Sequence, residues 1–402
     1  MTKDNNNGKQ SEQVVSGLLK LRDEITAVDE SLLNLLSQRR KLSVLVAKVK
    51  GLDQIQIRDH KREEELLTRL IKQGEKLNLD SFFITRLFHK IIEDSVRIQQ
   101  QFVLTQNQSE SSDSPTRRIS ILGGKGSYSY FAAKQHYAYS DKKNAYLGCT
   151  TFEEILKIVE EGQADRAVIP IENTTSGGIT EVYDLLLHTS LSIIGEEKYL
   201  IEHCLLANAG AQLKNIKTIY AHPQAKRQCD KILGQLAGIE IVLVDSTSQA
   251  VDKVIQDSSN SCAAVGGEDA ANLYQLEILQ RKIANQKINY TRFLVISRKP
   301  KKVSMQLPSK ISLVISTEQK AGALVDALVL FKQQDIPLTK LESRPVAGNA
   351  WEQMFYLDIE GNLQDQRITN TLDSLNTICP FIKILGCYPS DDIQETKISV
   401  DS

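Results

Sequence analysis

The chain has 402 residues, of which 41% are hydrophobic and 25% are charged, and its formal net charge is −1 at pH 7. These values predict two to four soluble globular domains without the basic field that attracts nucleic acid or an anionic membrane. The polar start, MTKDNNNGKQSEQ, lacks the apolar core of a signal peptide, and no stretch is apolar for the ~18 residues of a membrane span. Six scattered cysteines and six isolated histidines predict a reduced, cytoplasmic protein with no metal site.

The first block is helical in pattern, and its first helix carries an apolar stripe interrupted by one cation. The stripe consists of Leu18, Leu21, Ile25, Val28, Leu32, Leu35, Arg39, Leu42, Val46 and Val49. Its alternating spacings of three and four are typical of a helix that pairs with another helix. A guanidinium in such a stripe needs an anion. Lys50 is about 20° from Arg39 around the helix and roughly 16 Å along it, so the two could enclose a small dianion. Arg22 is about 260° away and could serve a symmetry-related slot in a dimer.

Polar residues also occupy regular positions on the next two helices. Asp59 and Glu63 lie at i and i+4 with Arg62 beside them, a spacing that is also typical of a surface salt-bridge ladder. On the third helix Ser95 and Gln99 replace apolar residues in the stripe Phe88, Ile92, Ser95, Gln99 and Phe102, which is also compatible with tolerated polar residues. A set of cations, carboxylates and neutral donors without a nucleophile stabilises charge without a covalent bond. This composition fits a rearrangement better than a hydrolysis.

At LLKLRDEI, LLSQRRKLSVLVAKVK, IRDHKRE and IIEDSVRIQQ the helical block, residues 12–104, resembles the all-helical chorismate mutase family. The resemblance implies a swapped helical dimer that converts chorismate to prephenate. Arg22 of one protomer and Arg39 of the other would bind the carboxylates, while Lys50 and Gln99 would donate to the ether oxygen. Further contacts are implied for Glu63, the backbone at Asp59, Ser95 and Arg62.

A Ser-rich linker at 105–117 leads into residues 118–298, where short apolar strands alternate with helical stretches, a pattern that predicts an α/β domain. Its first turn, GGKGSYS, has Gly126 after Lys125 and therefore fails the P-loop pattern. The dinucleotide fingerprint is incomplete, because Ser129 replaces the third glycine and no acid follows the next strand. The turn could instead bind a carboxylate through its N–H groups.

Side chains that can donate hydrogen bonds cluster at the ends of two predicted strands. Asn173, Thr174 and Ser176 follow the strand RAVIPIE, and Thr291 and Arg292 begin the strand of NYTRFLVIS. Helix caps and a solvated strand end would explain some of these residues. Their number, however, favours a ligand site at the carboxyl edge of an α/β sheet.

With GGKGSYS, IPIENTTSG, AHPQ and NYTRFLVIS the α/β block resembles prephenate dehydratase. The resemblance implies two lobes like those of periplasmic binding proteins, with the conversion of prephenate to phenylpyruvate in the cleft between them. Thr291 and Arg292 would face the cleft, with Thr291 a donor or relay toward the leaving hydroxyl. Arg292 could bind a carboxylate or steady the loop. Substrate contacts are implied for Asn173, Thr174, Ser176 and Phe293.

After a second linker, 298–310, residues 311–389 follow the order strand, helix, strand, strand, helix, strand, which predicts a ferredoxin-like module. The motifs GALV (322–325) and ESRP (342–345) resemble the ACT-type regulatory domain of prephenate dehydratases. The resemblance implies that phenylalanine binds as an effector at Gly322, Ala323, Leu324, Val325, Glu342, Ser343, Arg344 and Pro345. A dimerising module without a ligand is the alternative.

The combined resemblances imply an enzyme with two activities and phenylalanine feedback, at least a dimer, and without a cofactor. Both sites are expected to bind dianions through Arg, Lys and short hydroxyl donors. A mutase joined to a dehydrogenase fails on the missing dinucleotide fingerprint. A sensor that binds phenylalanine or prephenate without turnover is the non-enzymatic alternative, and the polar set in the helical block argues against it.

Overall fold

A computed structural model describes residues 5–52, 56–106, 115–140, 142–236, 238–257, 259–345 and 353–391. The chain divides into two compact units, whose described parts are the helices up to residue 106 and the α/β and C-terminal blocks from residue 115. No helix in the described ranges is both long and apolar enough to cross a membrane.

The first unit contains the helices α1 (Asn5–Leu52), α2 (His60–Glu75) and α3 (Ser81–Gln106). Asp59 caps α2, and Asp80 accepts from the backbone N of Phe83 at 2.9 Å at the start of α3. The last helix packs against both others. The buried contacts of this small core include Ala47, Leu67, Ile84, Ile92 and Val96.

The second unit begins with β1 (Thr116–Leu122), α4 (Tyr128–His136), β2 (Lys143–Cys149), α5 (Phe152–Glu160), β3 (Arg166–Asn173), β4 (Gly177–Gly178), α6 (Thr180–His188) and β5 (Ser192–Leu200). It continues with β6 (His203–Ala207), a 3₁₀ turn (Leu213–Asn215), β7 (Thr218–Ala221), α7 (Pro223–Gln228), α8 (Asp230–Leu233), β8 (Glu240–Leu243), α9 (Thr247–Gln256), β9 (Cys262–Gly267), α10 (Glu268–Tyr274), β10 (Glu277–Gln280) and β11 (Tyr290–Ser297).

These strands form two sheets, which are the cores of two lobes. The first sheet has the order β2-β1-β3-β11-β5, with β4 beside β3, and the second has the order β10-β6-β9-β7-β8. The chain leaves the first lobe after β5 and returns to it through β11, which lies between β3 and β5 and is antiparallel to both. The two-lobed α/β architecture predicted for this block is therefore confirmed.

The C-terminal block contains β12 (Ser309–Ser316), α11 (Ala323–Gln333), β13 (Leu338–Pro345), β14 (Gln353–Glu360), α12 (Gln366–Ile378) and β15 (Phe381–Pro389). Its antiparallel sheet has the order β13-β14-β12-β15. This is the predicted ferredoxin-like arrangement.

The C-terminal sheet stacks on the face of the first sheet that is turned away from the second lobe. Leu294 and Ile296 of β11 share a buried cluster with Val314, Tyr356 and Leu385 of the C-terminal sheet. β15 also runs close to β5, and a Cβ at Gly386 would overlap the backbone oxygen of Ile193. Glycine at this position therefore permits the two backbones to meet.

Candidate active sites

The helical unit holds Arg39 of α1 against Ser95 of α3. The Nη1 of Arg39 donates to the Ser95 hydroxyl and, at 3.0 Å, to the carbonyl oxygen of Ile91. Ser95 donates its own proton to the same carbonyl at 3.0 Å, so its oxygen is left to accept from the guanidinium. Desolvation lowers the pKa of Arg39, although Asp94 opposes this effect, and a guanidinium stays charged at neutral pH. A fixed, partly buried cation is the result.

Lys50 lies near the end of α1, with Nζ donating to two backbone oxygens of the α1–α2 connection at 3.2 and 2.5 Å. Burial lowers the pKa of Lys50, while Asp59 and Glu63 raise it and Arg62 lowers it. The ammonium group is therefore electrostatically coupled to the start of α2.

The three predicted residues at the start of α2 differ in their surroundings. Asp59 caps the helix, since its Oδ1 accepts from the backbone N of Arg62 at 3.1 Å, and both side chains are exposed. Glu63 is buried, and its Oε2 lies 3.2 Å from Nη2 of Arg58. Sequence reasoning missed Arg58, for which the need of a buried carboxylate for a cation was the available signal.

Gln99 lies one turn beyond Ser95 on the same face of α3 and is 9% exposed. Its Oε1 is buried and accepts no hydrogen bond from the part of the chain that the structure describes. Leaving such a group unsatisfied costs about 1–3 kcal/mol. The Oε1 acceptor is thus available to a ligand, and the carboxamide also carries an NH₂ group that can donate.

Arg22 does not join these residues within one chain. It is exposed and lies seventeen positions before Arg39, which is roughly 25 Å along a helix. The predicted apolar stripe is exposed as well, with Leu18, Leu32 and Val49 at 49%, 52% and 61%. Between Leu18 and Leu36, α1 therefore presents an exposed apolar face together with the Arg22 cation.

In the second unit a cavity of about 440 Å³ opens between the two lobes. It meets the starts of α4, α5 and α9, whose caps are Ser127, Thr151 and Ser246. Thr291, Phe293 and Asn173 line it from the first sheet. No Lys or Arg lies among the described residues that line it, which corrects the expectation that both sites use cations. The lining does include two carboxylates, Glu181 and Asp245, so the positive potential that an anion would meet comes from the backbone N–H groups at the helix starts.

The backbone fixes the direction of the hydrogen bond between Asn173 and Thr291. The Oδ1 of Asn173 accepts from the backbone N atoms of Thr175 and Ser176 at 2.9 and 3.1 Å, so its Nδ2 must point the other way. That Nδ2 donates to Thr291 Oγ1 at 2.9 Å. Because the Thr291 oxygen accepts here, its hydroxyl proton is available to a ligand in the cavity.

The hydrogen-bond network continues from Asn173 through residues that sequence reasoning missed, among them Asn289, Gln228 and His203. Asn173 also donates to Asn289 Oδ1 at 2.6 Å, and Asn289 Nδ2 donates to Gln228 Oε1 at 3.1 Å. His203 Nε2 lies 2.8 Å from the same Gln228 oxygen and therefore carries the proton. Its Nδ1, at 2.9 Å, then accepts from the hydroxyl of Tyr128. His203 and Gln228 carry no local motif, although Gln228 lies in the helix that begins at AHPQ.

The buried imidazole of His203 should make stability depend on pH. Burial, aided by His222, lowers the pKa of His203 from 6.5. The unfolded chain therefore takes up this proton first as the pH falls below about 6.5, and the contribution of His203 to the free energy of unfolding declines by at most about 1.4 kcal/mol per pH unit. We expect the melting temperature of wild type relative to His203→Asn to fall between pH 7.5 and 5.5. The exposed His188→Asn control should follow wild type, and an unchanged difference for His203→Asn would contradict the neutral tautomer.

Thr174 and Ser176 lie beside the cavity and brace its wall. Thr174 Oγ1 accepts from the backbone N of Tyr290 at 2.9 Å and Thr174 N donates to the Tyr290 oxygen at 2.9 Å, so this residue clamps the start of β11. Ser176 accepts from Gln224 Nε2 of the second lobe at 2.8 Å. Neither residue is among the described lining of the 440 Å³ cavity.

The glycine-rich turn GGKG contacts the second lobe. Gly126 has φ +90, and a Cβ there would lie 2.8 Å from the Tyr274 ring, so this position requires glycine. The N–H of Gly124 donates to Ser248 Oγ at 2.9 Å. That N–H is therefore engaged with α9, and the turn holds the two lobes near each other.

Arg292 faces away from the cleft, which corrects the prediction that both Thr291 and Arg292 face it. Successive side chains of a strand point to opposite faces of the sheet. Thr291 and Phe293 face the cavity, whereas Arg292 reaches Asp358 of the C-terminal sheet at 2.6 Å. The Arg292 side chain therefore lies on the face of the first sheet that packs against the C-terminal sheet.

The predicted effector residues lie at the start of α11 and along β13. Gly322 precedes α11 with φ +84, and a Cβ there would meet nothing within 4 Å. On β13, Ser343 and Pro345 are exposed, whereas Arg344 turns to the first lobe and pairs with Asp184 at 3.0 Å. The remaining members of the predicted set are Ala323, Leu324 and Glu342, which are partly buried, and Val325, which is exposed.

Comparison with known proteins gives matches to both units. The chorismate mutase type II model matches residues 21–100 and the prephenate dehydratase model matches residues 119–301. The bifunctional chorismate mutase/prephenate dehydratase of Escherichia coli (strain K12) is 48% identical over 376 residues, which are 94% of this chain and 97% of that protein.

Two solved structures share the architecture of the second unit. Prephenate dehydratase from Arthrobacter aurescens in complex with L-Phe is 29% identical, has a TM-score of 0.62, and covers 69% of this chain and 91% of that chain. GqqA, described as a novel type of quorum-quenching acylase, is 31% identical, has a TM-score of 0.61, and covers 68% and 98%. Because proteins that share one architecture can have different activities, the family assignment rests on the 48% sequence identity to the Escherichia coli protein over 94% of this chain. The chain belongs to the bifunctional chorismate mutase/prephenate dehydratase family of enzymes.

Proposed function

We propose that the helical unit of this enzyme rearranges chorismate to prephenate and that the cleft of the second unit converts prephenate to phenylpyruvate. The observation that carries the proposal is the Asn173–Thr291 pair on the cavity wall. A hydroxyl whose oxygen is occupied and whose proton is available is suited to a leaving group that departs as hydroxide.

In the helical unit the ether C–O bond of chorismate breaks while a C–C bond forms, in one cyclic step without an enzyme nucleophile. Negative charge grows on the ether oxygen, and Lys50 and Gln99 donate hydrogen bonds that strengthen as it does. Arg39 binds a carboxylate and keeps the reacting atoms close. The groups that complete this site are Glu63, the backbone at Asp59, Ser95 and Arg62.

The second carboxylate is bound by Arg22 of another copy of the chain. The exposed apolar face of α1 supports a swapped helical dimer, because burying side chains such as Leu18 and Leu32 stabilises association by about 25 cal/mol per Å². In a twofold-symmetric dimer paired through α1, each active site would combine Arg22 of one copy with Arg39 of the other.

In the cleft, prephenate loses its ring carboxylate as carbon dioxide and its ring hydroxyl as water. The electron pair of the breaking C–C bond enters the ring, which becomes aromatic as the C–O bond breaks and the leaving oxygen takes up a proton. Thr291 donates a hydrogen bond to that oxygen. Asn173 and Phe293 complete the wall, with Thr174 and Ser176 bracing it.

Neutral donors suit the carboxylate that leaves as carbon dioxide. Its charge moves into the ring in the transition state, so a cation beside it would stabilise the reactant more than the transition state. Helix starts capped by Ser127, Thr151 and Ser246 supply N–H groups that bind the dianion without a full positive charge.

We also propose that phenylalanine is a feedback effector of a cytoplasmic homo-oligomer. The L-Phe in the Arthrobacter aurescens structure supports this ligand, and six free cysteines fit a reducing compartment. Residues 322–325 and 342–345 would bind phenylalanine, with Gly322 allowing close approach to the start of α11. Inhibition then requires phenylalanine to favour one arrangement of the oligomer.

The experiment supplies purified enzyme with chorismate and, separately, with prephenate. Chorismate should disappear through prephenate to phenylpyruvate, prephenate alone should yield phenylpyruvate, and phenylalanine should slow the formation of phenylpyruvate. Phenylalanine binding by calorimetry without turnover of either substrate would contradict the proposal and indicate a sensor.

A further inference from the structure

Arg292 is enclosed by acidic groups from two different sheets. Its Nε donates to Glu196 at 2.8 Å, and its Nη1 donates to Glu172 at 3.0 Å and to Asp358 at 2.6 Å. Its Nη2 donates to the hydroxyl of Tyr388 at 2.9 Å. The side chain is 9% exposed, so water screens these contacts weakly. All three guanidinium nitrogens are therefore engaged on the side away from the cleft.

Three ion pairs of this cluster cross from one sheet to the other. Arg292 pairs with Asp358, Glu196 with Lys310 and Glu172 with Lys340, the first member of each pair lying in the first sheet and the second in the C-terminal sheet. Removing one partner of a buried ion pair is costly, so the first sheet depends electrostatically on the second.

Two members of the cluster are chain neighbours of the pair that faces the cleft. Glu172 precedes Asn173 on β3, and Arg292 follows Thr291 on β11. The strand ladder pairs Thr291 with Asn173 and Arg292 with Glu172. The Arg292–Glu172 ion pair and the Thr291–Asn173 hydrogen bond are thus neighbours along the β3–β11 ladder and lie on opposite faces of the sheet.

The ladder is interrupted directly after this step. Phe293 pairs with Pro170, so Ile171 is left over as a bulge. A bulge interrupts strand pairing, and proline has no N–H to donate. The ladder to β3 is therefore weakened beside Thr291, although β11 pairs with β5 without a break from Tyr290 to Val295. The ion pairs of Arg292 add a restraint on the side where the ladder to β3 is interrupted.

We propose that Arg292 is a positioning residue for dehydration, which holds the Thr291-bearing strand in place by tying it to the C-terminal sheet. This inference rests on the proposed role of Thr291. A displacement of about 1 Å at a reacting group costs about 100-fold in rate. The C-terminal sheet is consequently part of the dehydratase, through Asp358 and Lys340, even without effector.

The test compares Arg292→Gln, Arg292→Lys and Asp358→Asn in the full chain with prephenate as substrate. We expect kcat to fall about 100-fold in Arg292→Gln and about tenfold in Asp358→Asn, with KM within about twofold of wild type. Arg292→Lys keeps the charge and should recover part of the loss. Chorismate mutase activity should be unchanged in all three, and melting curves establish that each variant is folded at the assay temperature.

Asp184→Asn is the matched control, because it removes an exposed ion pair, with Arg344, between the same two blocks. It should leave kcat and KM unchanged.

A raised KM in Arg292→Gln with normal kinetics in Asp358→Asn would overturn the inference and indicate that Arg292 binds substrate directly. Absence of prephenate turnover in wild type would instead refute the proposed function. If Asp358→Asn does not fold, the inference is tested by the two Arg292 variants. A dehydratase kcat that is higher in Arg292→Lys than in Arg292→Gln, at equal mutase activity, would support it, and equal dehydratase kcat values would overturn it.

Discussion

Thr291→Val should lose dehydratase activity while it continues to convert chorismate to prephenate. Valine preserves the branched shape on β11 and removes only the hydroxyl that faces the cavity. Removing one preorganised donor from a developing oxyanion costs about 100- to 1,000-fold in kcat. The measurement is phenylpyruvate formation from prephenate, with chorismate consumption by the same sample as the internal control.

Two further variants separate the presence of the hydroxyl from its direction. Thr291→Ser keeps a proton donor and should retain most of the activity. Asn173→Asp replaces the donor that occupies the Thr291 oxygen with an acceptor, so the Thr291 proton would turn toward residue 173. We expect Asn173→Asp to lose activity although it preserves shape. Normal kcat in both Thr291→Val and Asn173→Asp would remove Thr291 from the reaction.

The orientation of Arg292 exposes a limit of local sequence reasoning. The alternation of side chains along a strand already excludes that Thr291 and Arg292 both face one cleft. Which of them faces it depends on the sheet that covers the other side, and Asp358 is 66 residues away in sequence. The motif therefore indicated the right strand, but the role of its second residue required the packing of a different block.

The polar network shows the same limit in another form. Asn173 and Thr291 stand in short motifs at strand ends, and sequence patterns indicated both. His203 and Gln228 come from the second lobe and reach the site through the fold, with no local signal in the sequence. In the helical unit the stripe of α1 indicated helix pairing, but in a single chain its side chains are exposed, since the partner surface lies outside this chain's own fold.

Arg39→Ala should remove mutase activity and leave prephenate turnover intact. Truncating one partner of a desolvated, hydrogen-bonded ion pair costs about 2–5 kcal/mol, or roughly 30- to several thousand-fold in kcat/KM. Arg40→Ala is the neighbouring control, because Arg40 is exposed and pairs with Asp94 at 2.6 Å on the helix surface. Equal losses in the two variants would mean that the helix, and not the Arg39 cation, had been disturbed.

Mixing variants tests whether each mutase site is shared between copies. Arg22→Ala and Arg39→Ala should each be inactive as the sole protein, since either leaves one carboxylate of chorismate unpaired. In a swapped dimer, a mixed pair contains one site with both substitutions and one with neither. Half of the dimers in an equimolar, re-equilibrated mixture are mixed, so about a quarter of all sites should be intact and active. A mixture as inactive as its components would contradict a site built from Arg22 of one copy and Arg39 of the other, since the roughly 25 Å between them along α1 already excludes a site within one chain.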